Sequence, residues 1–159
     1  KINVVPMLNE EVSAFPVEIG KQRLLSKLYC KTHASIVWHL NWNNTGSVNS
    51  RRLLLTYSVE CGLKCALMEK EKVYRVSDAQ KEVQEVLGTH DFRKLLKKLR
   101  IIGTFTFPTI QTNHNDVVQP GQYHELCRYS IQPKNNDDTD IKEFEETLKN
   151  IGEWLGGQL

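Results

Sequence analysis

"SRRLLLTYSVECGLKCALMEK" (residues 50–70) carries apolar side chains on more than one helical face. A helix lying on a surface needs only one apolar stripe, so this pattern predicts a central helix surrounded by others. Within it Glu60 and Lys64 form an i,i+4 pair in the favoured order. Before it, "NNTGSVN" has turn chemistry, with Gly46 free to adopt positive φ and side chains that bond their own backbone. Further upstream, residues 21–42 place Leu24, Leu28, Ile36, Val37 and Leu40 near helical spacing, which predicts a helix. Residues 1–19 hold two prolines and no sustained period, and read as an irregular N-terminal arm.

Downstream, "SDAQ" from Ser77 has the form of a capping box, so a helix is expected from Ser77 to about Leu87, stopping at Gly88. In "GTHDFRKLLKKLR" (residues 88–100) Phe92, Leu95, Leu96 and Leu99 make one stripe, and Thr89 is the expected N-cap, with Asp91 favoured in the first turn by the helix dipole. Residues 103–122 show no 3.6 period and predict a long excursion containing a short extended piece. A short helix is expected over residues 123–129, then a polar linker. The last helix is the clearest: Ile141, Phe144, Leu148, Ile151 and Leu155 step by 3, 4, 3 and 4. Asp140 and Glu143 are set as a cap pair, and Gly156-Gly157 follow the expected end. The fold class expected is therefore all-α, a bundle of about five helices with one long loop excursion, formed by residues 20–159 after the arm.

The chain has 159 residues, enough for one domain with its own core. With 21 Lys and Arg against 19 Asp and Glu the net charge is +2, so no global field favours nucleic acid or an acidic membrane, and any such binding must be local. No apolar run approaches the roughly 18 residues that span a bilayer. The first residues have neither a basic region nor a long apolar stretch followed by a cleavage site. The reading is a cytoplasmic protein with no membrane association. Four cysteines, Cys30, Cys61, Cys65 and Cys127, are too few and irregular for a disulfide framework, so reduced, buried thiols are expected.

Phosphate-cradling glycine loops, H-E-x-x-H and G-x-S-x-G are absent from the sequence. Cys61 and Cys65 share a helix face, but no second pair completes a zinc site, so neither metal nor cofactor is expected. His90 is a candidate general base or phosphate contact. Tyr123, His124 and Arg128 can share one helix face. Arg93, Lys94, Lys97, Lys98 and Arg100 can neutralise phosphates, and they are equally what a solvated helix face presents.

The order "SRRLLLTYSVECGLKCALM", "THDFRKLLKKL", "CRYS" and a closing amphipathic helix with Trp in "IGEWL" resembles the HEPN (higher eukaryotes and prokaryotes nucleotide-binding) domains over residues 33–155. The resemblance implies an antiparallel bundle that often dimerises, found in toxin–antitoxin modules, antiviral defence proteins and RNA-processing enzymes. It matches Arg51 or Arg52, Glu60 and Lys64 to the family's long helix, His90 and Asp91 to a helix-opening pair, and Arg128 with Tyr129 to its R-Y element. Active ribonucleases of the family carry Arg followed four to six residues later by His, and no arginine here has a histidine at that spacing.

The function expected is thus a non-catalytic nucleotide- or RNA-binding module. It would recognise phosphates through His90, Arg93, Arg128 and Arg52, and act as a homodimer or beside a partner protein in a prokaryotic-type defence or toxin–antitoxin system. One alternative is a metal-independent endoribonuclease with a divergent site, drawing its catalytic groups from His90, His124 and Arg128 or Arg93. The other is a structural protein-interaction domain using the excursion.

Overall fold

Ser47 opens the first helix: its hydroxyl accepts the Ser50 amide at 3.2 Å, satisfying one of the donors a helix start leaves over. The computed structural model describes residues 47–158. The expected arm, the expected helix over residues 21–42, and with them Cys30, His33 and His39, lie outside the described residues.

Helix α1 (Val48–Lys70) buries Val59, Leu63 and Leu67 together with the polar Arg52, Thr56, Ser58 and Glu60. Two of these polar groups are satisfied within the helix, since the Thr56 and Ser58 hydroxyls donate to the carbonyls of Arg52 and Leu54, each at 2.7 Å. After a 3₁₀ turn at Val76–Asp78 come α2 (Lys81–Leu87) and α3 (Phe92–Leu99). The excursion contains a small antiparallel hairpin, β1 (Ile110–Gln111) and β2 (Val117–Val118), with Ile110 opposite Val118 and Gln111 opposite Val117. A second 3₁₀ turn, Pro120–Gln122, leads into α4 (Tyr123–Arg128), a third spans Lys134–Asn136, and α5 (Thr139–Gln158) closes the chain. The described residues form an all-α bundle of five helices.

All five positions of the α5 stripe, Ile141, Phe144, Leu148, Ile151 and Leu155, are buried, and so are Phe92, Leu95 and Leu96 of α3. Helix α5 lies along α1 in the same direction: Arg52 meets Glu145 near one end, and a Cβ on Gly62 would lie 2.6 Å from Leu155 Cδ1 towards the other. Helix α4 runs back along α1, with Tyr57 against Arg128 and Asn49 against Ser130. Phe144 holds the centre, stacked on Tyr123 at 4.1 Å between ring centroids and tilted against Phe107 at 4.9 Å.

Three local expectations are corrected. Ser77 does not start α2: its hydroxyl donates to the Asp78 carboxylate, Ala79 is extended, and the helix begins at Lys81. Asp91, not Thr89, caps α3 by accepting the Arg93 amide at 2.9 Å, while Thr89 accepts the Asp91 amide one step earlier. Helix α5 begins before Asp140 and runs through Gly156-Gly157; the Asp137 carboxylate caps it by accepting from Thr139, and these bonds hold its carboxyl below the usual carboxylate range. The thiols also differ from expectation: Cys65 is disulfide-bonded and Cys61 is free but exposed, while Cys127 is free and buried. Among the described residues no helix is long and apolar enough to cross a membrane.

Phe144→Ala removes the ring at the centre of the aromatic packing and is expected to lower unfolding free energy by about 3–5 kcal/mol. Val117→Ala, at an exposed hairpin position, is expected to stay within about 0.5 kcal/mol of the parent, both variants being followed by urea titration.

Candidate functional site

Tyr57, Glu60 and Lys64 follow one another at i, i+3 and i+7 along α1, which places them on one stripe of the helix. Glu60 is the unusual member, because its side chain is only 7% exposed and a buried carboxylate must be met by donors. Lys64 Nζ reaches its Oε1 at 2.7 Å, and His90 Nδ1 lies 3.1 and 3.0 Å from its two oxygens. A carboxylate can only accept, so the shared proton sits on His90 Nδ1 and the ring's Nε2 is left for another partner. The imidazole is half exposed, at 52%.

His90 stands just before α3, held there by the local chemistry of the helix start. Thr89 and Asp91 on either side of it bond the first amides. The turn entering α4 packs directly on this start: a Cβ on Gly121 would lie 3.2 Å from Asp91 Cα, so a side chain there would have to push the Asp91 backbone by a few tenths of an ångström. That approach brings the start of α4 near the start of α3, where the His124 ring lies 4.7 Å from the His90 ring, centroid to centroid. The His124 ring is also 6.4 Å from that of Tyr57. One turn further along α4, the Arg128 guanidinium donates to the Tyr57 hydroxyl. Glu60, His90, His124, Tyr57 and Arg128 therefore form an unbroken line of contacts across α1, α3 and α4.

The three candidate arginines have different fates. Arg52 is buried, bonded through Nε to Glu145 and 3.5 Å from Asp138, so its charge is spent on two carboxylates. It joins α1 to the start of α5 rather than entering the line of contacts. Arg93 is exposed on the first turn of α3. Arg128 is exposed too; its guanidinium donates to the Tyr57 hydroxyl, which raises its pKa, and among the described residues no carboxylate pairs with it. A guanidinium positioned by a neutral acceptor oxygen keeps its charge for an anion. Part of the expected basic face of α3 has a structural role, with Lys98 paired to Glu82 at 3.2 Å.

Neither free thiol is poised as a nucleophile. Burial pushes Cys127 up to about 11, and burial together with the Glu60 charge raises Cys61. Among the described residues no group of three or more His, Cys, Asp or Glu is placed to hold a metal ion. The arrangement can bind an anion at Arg128 and move protons at two adjacent imidazoles.

Two parts of the site escape a reading of motifs. Tyr57 belongs to no motif, although its spacing to Glu60 and Lys64 marks a polar stripe in an otherwise apolar helix. The meeting of His90 with His124 spans 34 positions of chain and has no local signal. No family model, curated protein or solved structure matches the chain.

The ¹⁵N spectrum of His90 is expected to show the proton on Nδ1. Glu60→Ala should abolish that preference while leaving His124 unchanged.

Proposed function

We propose that this chain is a HEPN-like module that binds the phosphate of a nucleotide or of RNA at the face formed by His90, His124 and Arg128. One observation carries the reading: Arg128 is held in place by the Tyr57 hydroxyl, beside a pair of imidazoles that donate to phosphate oxygens in their protonated form. Arg93 contributes charge at long range from the first turn of α3. Arg52, committed to Glu145, contributes to the fold only. The role is that of a binding or sensor subunit, paired with a second copy or with another protein, in a prokaryotic-type defence or toxin–antitoxin system. The cytoplasm is the expected setting of such systems. The Cys65 disulfide argues the other way, because disulfides persist in oxidising compartments.

A second reading, cleavage of RNA without a metal, is favoured by the orientation of His90. A buried carboxylate that fixes one imidazole nitrogen leaves the other as a general base, and His124 alongside can serve as the acid. The 2′-hydroxyl would give its proton to one ring while the other protonates the departing 5′-oxygen, with Arg128 on the phosphate.

Binding of a fluorescent single-stranded oligoribonucleotide, followed by anisotropy, tests the first reading. Arg128→Ala is expected to weaken it about ten- to a hundred-fold, the effect of losing charged hydrogen bonds, whereas Arg52→Met should change affinity less than about twofold. Affinity should also fall steeply between 50 and 200 mM salt, as phosphate contacts require; a flat response would count against it. Incubation with the same RNA in EDTA tests the second: cleavage is expected to be lost in both His90→Ala and His124→Ala, and cleavage surviving in both would exclude these residues.

A further inference from the structure

A cavity of about 710 Å³ opens between the hairpin and α4, on the helix face next to the imidazole pair. Its volume falls within the range of small-molecule sites. Asn113, His114, Asp116, Gln122, Glu125 and Gln132 are among the polar residues that line it, and among the described residues neither lysine nor arginine does. Glu125 belongs to both places: it lines the cavity, and its Oε1 lies 3.9 Å from His124 Nε2. The chain itself supplies a second connection, since Ser130 in the cavity wall is two residues beyond Arg128, at most about 7 Å along the backbone.

Much of the wall's hydrogen-bonding capacity is already used to shape the loop. The Thr112 hydroxyl accepts the His114 and Asp116 amides, the Asn113 side-chain oxygen accepts the Asn135 amide, and that of Gln122 accepts the Gln119 amide. The carboxylates of Asp116 and Glu125 are the strongest acceptors among the lining groups. A phosphate would be repelled there, while a neutral ring carrying amino groups would be welcomed. Between Arg128 and the lining residue Ser130 in the chain stands Tyr129, 66% exposed. An aromatic face left open beside a phosphate-binding arginine is a stacking platform for a base.

We infer that the cavity is the base subsite of the phosphate site, and that it selects nucleotide units whose base carries an exocyclic amine (cytosine, adenine or guanine) over uracil. The inference rests on the phosphate reading of the His90, His124 and Arg128 face. The phosphate lies at Arg128, the ring passes Tyr129, and the amine donates to Asp116 or Glu125, as acidic side chains accept from the cytosine amine elsewhere. Stacking tolerates any base, so Tyr129 adds affinity and the carboxylates add selection.

Single-stranded oligo(C), oligo(A) and oligo(U) of equal length, labelled alike and titrated with the full chain at low salt, separate the parts. The wild-type protein is expected to bind oligo(C) and oligo(A) about tenfold more tightly than oligo(U). Asp116→Asn and Glu125→Gln, which keep side-chain shape, should bring the oligo(C) affinity down towards that of oligo(U), and Tyr129→Ala should weaken all three while Tyr129→Phe restores most of the loss. Equal wild-type affinities overturn the proposal, as does a preference that survives both carboxylate substitutions. A lysine-rich peptide that binds through Asp116 while none of the oligonucleotides binds overturns it as well, and makes the cavity a protein contact. Binding that is sensitive to Arg128→Ala yet blind to the base sinks the base subsite alone; no binding of any oligonucleotide removes the phosphate reading with it.

Discussion

A carboxylate placed inside the packed face of a helix bundle stays charged only if donors reach it, and Glu60 on α1 is reached by two. Lys64 comes from the same helix, so it adds nothing to the tertiary arrangement. His90 comes from the start of α3, and its bond to Glu60 ties that start to the middle of α1. The apolar residues that follow, Phe92, Leu95 and Leu96, are fully buried, so the direction of α3 is set by packing and its axial position by this polar contact. The nearby Gly121 then allows α4 to lie against the same point. His124 and Arg128 reach the site because α4 is fixed there.

The two arginines on either side of α1 differ in the type of partner that holds them. Arg52 and Glu145 neutralise each other where α1 and α5 run together, and a buried pair of this kind chiefly fixes which surfaces meet. Among the described residues Arg128 has no carboxylate partner; the Tyr57 phenol oxygen restrains its geometry and leaves its charge to the solvent. The same contrast extends around α4. One face presents cationic and imidazole groups, and the next opens into a cavity whose charged lining is acidic. A ligand with one anionic end and one amino-bearing end matches both.

The aromatic packing around Phe144 explains why so irregular an excursion is held in place. Phe107 from the excursion and Tyr123 from α4 both pack on that ring, so the segment between them starts and ends on the core, and its hairpin stands over α4 as a wall. Thr112 adds a bridge to Pro133, tying the hairpin end to the segment that leads into α5.

Periodicity marked α3 and α5, because an apolar side chain every three or four residues is buried together on one helix face, while α1 was marked by apolar residues on more than one face. The five-residue stripe of α5 and the i,i+4 pairing of Glu60 with Lys64 were legible for that reason; the excursion, lacking a helical period, was legible only as holding a short extended piece. Cap positions were less legible: Ser77, Thr89 and Asp140 all have the right chemistry, but Ser77 bonds Asp78 instead, Asp91 and Asp137 lie within a few residues of the other two and cap their helices, and backbone geometry decides between them. The individual candidates His90, His124 and Arg128 were visible as residue types, and their joining was not. Contacts among α1, α3 and α4 depend on how helices distant in sequence pack, so only the tertiary structure could place one imidazole on Glu60, set the second beside it, leave Arg128 with neutral partners and spend Arg52 on a carboxylate.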